Sequence, residues 1–253
     1  GQHVCTPLQG VAVHINAFNF PVWGMLEKLA PTLLAGMPAI VKPATVTGYL
    51  TEAAFRMIIE SGLLPDGAVQ LVSGRLGPLL DRLGPQDAVS FTGSAATGVM
   101  LRGTPNLLER SVRFSAEQDS LNATILGPDV MVGDPEFDLF IKEAAGEITA
   151  KAGQKCTAVR RILVPEALRQ PVAEALRAAL DDVAIGDPRL KEVGMGALAS
   201  GGQKQDVLAK CEMFKGEARC IIGGEAPRLT GEDLAGGAFV APTIFDCADP
   251  DGA

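Results

Sequence analysis

Three side chains in this chain have the types needed to work on a carbonyl: a thiol, an amide and a carboxylate. The thiol is Cys156, in Lys151-Ala152-Gly153-Gln154-Lys155-Cys156-Thr157. A cysteine on a loop held by a packed helix is both exposed and fixed, as a nucleophile requires. Lys151, Lys155, Arg160 and Arg161 surround it in sequence, and positive potential favours the thiolate. The bland alternative is a small buried apolar residue, the usual fate of a free cysteine. The amide is Asn19, set between Phe18 and Phe20. It can donate N–H to a developing oxyanion or cap the helix that follows. The carboxylate is Glu117, in Phe114-Ser115-Ala116-Glu117-Gln118-Asp119. It is either a general base or an exposed turn residue, and Asp119 is its neighbouring rival.

A second group of residues suits phosphate and sugar. Thr92-Gly93-Ser94-Ala95-Ala96-Thr97-Gly98 joins a strand to a helix start, where free N–H groups and the helix dipole attract anions. Lys42 ends a strand, so its ammonium either reaches ribose or phosphate oxygens or stays solvated. Ser73-Gly74 is a weaker seat of the same kind. No G-x-G-x-x-G follows the first strand, so the ordinary dinucleotide fingerprint is absent.

These side chains are spread over an alternation of strands and helices. Strands are expected at 10–15, 38–42, 68–72 and 88–91. A helix beginning near Val22 places Leu26, Leu29, Ala30, Leu33 and Leu34 on one face, with Pro31 as a kink or break. A second places Leu50, Ala53, Ala54, Met57 and Ile58 on one face and stops at Gly62. A short helix covers 76–83. This rhythm predicts an α/β chain with a parallel sheet and ligands at the strand carboxyl ends. Past residues 111–115 the rhythm changes, and a domain boundary is placed between 118 and 119. A strand at 123–126 follows. The next helix repeats Phe137, Phe140, Ile141, Ala144, Ala145 and Ile148, an apolar face broken by Gly153 just before Cys156. Further expectations are a strand at 161–164, a helix at 166–183, a weaker helix at 203–214, a strand at 219–222 and an extended run at 239–245.

Bulk properties narrow the class. The 253 residues are 47% hydrophobic and 21% charged, which describes a globular chain. A net charge of −8 argues against nucleic acid as the main partner. Cys5, Cys156, Cys211, Cys220 and Cys247 form an odd set without metal-type spacing, which fits a reducing cytoplasm and no metal. His3 and His14 are the only histidines, too few for multi-histidine sites. No signal-peptide pattern or membrane-length apolar run is visible. The chain has no initiator Met and stops at Asp251-Gly252-Ala253, as a fragment or processed form does.

The ordered motifs resemble the aldehyde dehydrogenase superfamily. Asn19-Phe20-Pro21, Lys42-Pro43-Ala44, Gly62-Leu63-Leu64-Pro65-Asp66-Gly67, Phe91-Thr92-Gly93-Ser94, Glu117, Gly153-Gln154-Lys155-Cys156 and Gly237-Ala238-Phe239-Val240-Ala241-Pro242-Thr243-Ile244-Phe245 follow one another as the family's signatures do. The wording of residues 15–31 and 117–122 is similar to the branch that oxidises ring-opened CoA semialdehydes in phenylacetate and benzoate degradation. In the phenylacetate case that domain is fused to a hydratase, and no hydratase portion is expected within these 253 residues.

The resemblance implies a Rossmann-like cofactor domain over 1–118 and a truncated catalytic domain over 119–253. It implies that the chain lacks N- and C-terminal parts, including a second ribose-binding glutamate after Ala253. It assigns Cys156 as nucleophile, Asn19 with the Cys156 N–H as oxyanion donors, and Glu117 as the base that hydrolyses a Cys156 thioester. Cofactor contacts are implied at Lys42, Ala44, Thr45, Phe91, Thr92, Gly93 and Ser94. Many NAD-preferring relatives carry glutamate where this chain has Thr45, so the expected cofactor is NADP, with NAD as the alternative. The implied partners are an aldehyde, as a CoA thioester, and further copies of the full-length chain. Two other readings stay open: a CoA-acylating dehydrogenase and a non-catalytic nucleotide-binding remnant.

Overall fold

The computed structural model describes residues 1–247. The expected chain end at 251–253, and the last six residues of the domain expected over 119–253, lie outside the described residues. The chain divides into two compact units, Gly1–Asp119 and a second beginning at Ser120.

In the first unit, β1 (Ala12–Ile15), β2 (Ala39–Lys42), β3 (Val69–Leu71), β4 (Ala88–Thr92) and β5 (Arg113–Glu117) form one sheet in the order β3-β2-β1-β4-β5. Every neighbouring pair is parallel. α1 (Trp23–Leu34) follows β1, α2 (Gly48–Glu60) follows β2, and α3 (Ala95–Arg102) with α4 (Pro105–Glu109) separates β4 from β5. The chain builds outward from β1 through β2 and β3, then returns to the other side of β1 for β4. That reversal makes the carboxyl ends of β1 and β4 a topological switch point. β1 is buried at all four residues, as a central strand covered on both faces must be.

Both helix faces are rotated from the expected stripes. In α1 the buried residues are Gly24, Met25 and Leu29, while Leu26, Ala30 and Leu34 are exposed. α1 also runs through Pro31 because that residue lies near its last turn on an exposed side, where one missing N–H is cheaply lost. In α2 the core-facing residues are Thr51, Ala54, Phe55 and Ile58, and Leu50 and Met57 are exposed. Gly62 adopts φ +66° beyond α2 and donates its N–H to the Ile59 carbonyl at 3.1 Å, closing the helix as expected. The segment expected as a helix at 76–83 is a 3₁₀ turn, Gly77–Arg82. β5 has no alternating apolar pattern and is largely exposed; its ladder to β4 alone makes it a strand.

In the second unit, β6 (Asn122–Ile125), α5 (Pro135–Thr149), β7 (Val159–Leu163), α6 (Arg169–Asp181), β8 (Ala184–Gly186), β9 (Val193–Met195), α7 (Gly201–Phe214), β10 (Arg219–Ile222), β11 (Leu229–Thr230) and β12 (Ile244–Asp246) follow in order. They form a parallel β6-β7 pair, a parallel β11-β8-β9 sheet and an antiparallel β10-β12 pair. α5 opens with Pro135 and carries Glu136 and Asp138 in its first turn, where negative charge suits the helix dipole. Its apolar face is the expected one: Phe137, Ile141, Ala144 and Ala145 pack with Val172, Leu176 and Leu180 of α6 around one core. The helix expected over 166–183 is shorter, beginning with a 3₁₀ turn at Glu166–Leu168 and ending at Asp181. Of the extended run expected at 239–245, only Ile244 and Phe245 pair as a strand, which continues to Asp246.

Candidate functional site

In the first unit the candidate residues gather at the carboxyl ends of the strands. Ile15 is in register with both Lys42 and Phe91, and Thr92 is in register with Glu117. The Asn16 N–H donates to the Lys42 carbonyl at 3.0 Å. Lys42 is half-buried, and burial holds its ammonium below the ordinary lysine range. Ala44 leads into a 3₁₀ turn, Thr45–Thr47, on which Thr45 is exposed.

The turn that carries Asn19 is braced from the α2 side. Thr47 Oγ1 donates to the Phe18 carbonyl at 2.9 Å, and Thr51 Oγ1 donates to the Pro21 carbonyl at 3.0 Å. Thr51 is 0% exposed, so the donor of this second bond is shielded from water. Phe20 packs edge-on against Trp23. α1 begins after Val22, which makes no side-chain cap bond.

The Thr92–Ser94 turn meets the end of β5. The Gly93 N–H donates to the Glu117 carbonyl at 3.1 Å. A Cβ on Gly93 would lie 2.6 Å from the Phe91 ring, so the turn closes over that ring only with glycine. Ser94 Oγ caps α3 by accepting from the Thr97 N–H at 3.3 Å. Asp119 Oδ2 accepts from the Ala95 N–H at 3.0 Å, which places a carboxylate on the positive end of α3. Asp119 thus has a structural partner of its own. Ser73 and Gly74 are exposed.

In the second unit, α5 ends at Thr149 and the chain enters an unusual turn. Lys151, Ala152 and Gly153 have φ of 54°, 53° and 69°. Two consecutive non-glycine residues in the left-handed region are strained by roughly 1–2 kcal/mol each, so outside contacts must hold them. Arg160 Nη2 donates to the Gly153 carbonyl at 2.6 Å. Gln154 Nε2 donates to the Lys151 carbonyl and Gln154 Oε1 accepts from the Ala199 N–H, both at 2.9 Å. Cys156 follows, half-buried and reduced.

The Cys156 carbonyl accepts from Ser120 Oγ and from Asn122 Nδ2 at 2.6 Å. Of the four cations expected to favour its thiolate, three are engaged elsewhere. Lys155 pairs with Glu147 at 2.8 Å, Arg160 holds Gly153, and Arg161 donates to the Leu121 carbonyl at 2.9 Å. Burial, then the like charge of Lys155, holds the Lys151 ammonium below the ordinary lysine range, and the neighbouring Cys156 acts against that shift.

Sequence reasoning missed the bracing residues Thr47, Thr51, Ser120 and Asn122 and the function of Gln154. Hydroxyls and amides that bond a distant carbonyl leave no periodic trace. Among the described residues no group of three or more His, Cys, Asp or Glu could hold a metal ion, and no helix is long and apolar enough to cross a membrane.

Comparison with known proteins adds to this geometry. The aldehyde dehydrogenase family profile matches residues 3–253. A 3,4-dehydroadipyl-CoA semialdehyde dehydrogenase of Aromatoleum evansii is 46% identical over 248 residues, 98% of this chain and 48% of that protein. An alpha-ketoglutaric semialdehyde dehydrogenase of Bacillus subtilis (strain 168) is 34% identical over 241 residues, 94% of this chain and 47% of that protein. The chain spans about half the length of the curated relatives it matches. Among solved structures, an apo mutant of Staphylococcus aureus betaine aldehyde dehydrogenase superposes with a TM-score of 0.83 at 27% identity, covering 94% of this chain and 46% of that one. The same enzyme in complex with NAD+ gives 0.82 at 26% identity, covering 93% and 45%. A profile match over nearly every residue, on a sheet of matching topology, settles the kinship: this chain belongs to the aldehyde dehydrogenase family.

Proposed function

We propose that the chain supplies the nucleophile and the cofactor seat of an enzyme that oxidises a CoA-linked semialdehyde to its carboxylate with a nicotinamide cofactor. The carrying observation is the 46% identity, across 98% of this chain, to a CoA-semialdehyde dehydrogenase. The first unit is the cofactor domain in this reading, and the second bears the thiol.

The residues at the sheet edge suit a nucleotide. The start of α3 already accepts an anionic oxygen, the Asp119 carboxylate, which stands in for a phosphate oxygen. Lys42, Ala44 and Thr45 would face the ribose, and Phe91, Thr92, Gly93 and Ser94 the phosphates. The bound nicotinamide would supply the two-electron acceptor. Thr45 puts no carboxylate beside a 2′-phosphate, so NADP is the proposed cofactor, with NAD as the alternative that a relative's complex supports.

The Cys156 thiolate attacks the aldehyde carbon. The Asn19 amide and the Cys156 N–H hold the oxyanion, a donor type whose loss costs about 100- to 1,000-fold in rate. Oxidation leaves a thioester on Cys156. Glu117 takes a proton from water, and the resulting hydroxide cleaves that thioester to carboxylate and free thiol. We place the enzyme in the cytoplasm as a homo-oligomer.

The test is pre-steady-state kinetics of Glu117→Gln in the complete protein with 3,4-dehydroadipyl-CoA semialdehyde. Acylation survives, so a burst of reduced cofactor close to the enzyme concentration appears and turnover then stalls. A steady-state rate equal to wild type removes Glu117 from the mechanism.

A further inference from the structure

We infer that Ser120 and Asn122 are a positioning pair for the Cys156 nucleophile, an inference that rests on the proposed function. The Cys156 carbonyl lies outside the β6-β7 ladder, which begins on that side with Val159. It is bonded instead by two side chains, Ser120 Oγ and Asn122 Nδ2. Asn122 Nδ2 also lies 3.2 Å from the Ala158 carbonyl and 3.3 Å from Ser120 Oγ. One amide with two hydrogens therefore spans both ends of the Cys156–Ala158 segment, with the serine hydroxyl beside it.

The backbone of Asn122 is placed for this by an irregularity in the pairing. Asn122 is in register with Val159, but Ala123 is in register with Arg161, so Arg160 has no opposite residue. A bulge of this kind re-aims the side chains around it. Here it frees Arg160 to hold the Gly153 carbonyl, three residues before the carbonyl that Ser120 and Asn122 hold.

The chemical consequence follows from the dihedrals. Fixing the Cys156 carbonyl sets ψ at that residue and leaves rotation about χ1 as the main freedom of the thiol. A nucleophile must meet the carbonyl carbon within a narrow range of distance and angle, and a misplacement of ~1 Å costs on the order of 100-fold. The pair touches neither substrate nor cofactor in this account; it acts through the cysteine. A structural role alone, closing the end of β6 and β7, would change stability and leave the acylation rate of folded molecules unaltered.

The experiment is a rapid-mixing measurement on the complete protein with 3,4-dehydroadipyl-CoA semialdehyde and NADP or NAD. Asn122→Asp replaces the donor with an acceptor facing a carbonyl, and Ser120→Ala removes the hydroxyl. The expected result is a fall in the burst rate constant of ~10- to 100-fold for Asn122→Asp and ~3- to 10-fold for Ser120→Ala. Cofactor KM stays within about twofold of wild type, as expected when uniform binding is untouched. Ser120→Thr, which keeps a hydroxyl donor, restores the rate. Burst rates within twofold of wild type in both Asn122→Asp and Ser120→Ala overturn the inference, whatever happens to stability. If Asn122→Asp does not fold, Ser120→Ala against Ser120→Thr decides it alone: equal rates overturn the inference. A burst that persists in Cys156→Ala overturns the proposed function and the pair with it, whereas a burst lost in Cys156→Ala and unchanged in the pair overturns only the pair.

Discussion

The Asn19 turn and the Cys156 turn are both pinned through their carbonyls, but they are pinned differently. The first leaves a fully buried strand and is tied by two threonines, one of them in the core. None of its residues has positive φ. The second leaves a helix through three left-handed residues and is tied by the side chains of Arg160, Gln154, Ser120 and Asn122, three of them half-buried and Arg160 exposed. One turn inherits its shape from packing; the other is held in a strained shape by polar contacts. In the proposed mechanism Asn19 is an amide donor and Cys156 a nucleophile, and the two make different demands. A donor must only be presented at a fixed point, while a thiol must be fixed and still accessible to a reactant.

This contrast can be broken most severely at the reactive atoms. Cys156→Ala abolishes turnover, whereas Asn19→Ala leaves a residual rate about 100- to 1,000-fold below wild type; steady-state assays with excess aldehyde measure both. Equal residual rates would erase the distinction between nucleophile and donor.

The packed foundation of the Asn19 turn is tested next, by acid. His14 in β1 is buried, bonded through Nε2 to Thr32 Oγ1 at 3.1 Å, and held at a pKa of about 4 by burial and then by the charge of Lys28. The unfolded chain takes up a proton near pH 6.5 and the folded chain does not. Stability is therefore fully present above that pH and is lost as the pH falls toward about 4, by up to about 3 kcal/mol. Urea unfolding of wild type and His14→Gln across this window checks it; parallel curves would refute the assignment.

A smaller effect is expected at the brace itself. Thr51→Val keeps the volume and leaves the Pro21 carbonyl without its donor, lowering stability by about 1–3 kcal/mol. Thermal denaturation at neutral pH reads this. The smallest effect belongs to the strained turn. Ala152→Gly relieves left-handed strain and is within about 0.5 kcal/mol of neutral, while Ala144→Gly in the buried face of α5 costs about 1 kcal/mol or more. Equal losses at the two positions would mean that residue 152 stores no strain.

How much of this was legible depended on what positions each residue. The parallel sheet, α5 and the strand ends carrying Lys42 and Thr92 follow from periodicity and glycine placement, because burial writes itself into apolar spacing. α1 and α2 were found but misaligned, since Met25 and Thr51 face inward where leucines were expected. Thr51 is inside for a hydrogen bond, which hydropathy cannot show. β5 was missed because four of its five residues are exposed and polar or small. The candidate site was read from motif order, and its braces were not read at all. Ser120 and Asn122 sit in a segment singled out for Glu117, yet nothing in a linear string says which distant carbonyl they meet.

The unmatched Arg160 has one further consequence, for changes in chain length. Removing one residue at 160 could be absorbed by straightening the ladder, at the expense of the Gly153 carbonyl's partner. Removing one at 162 has no slack to draw on, and every side chain on one side of the gap would swap faces. The β6-β7 pair thus has a spot within a strand where a deletion is survivable, and it lies four residues from the thiol.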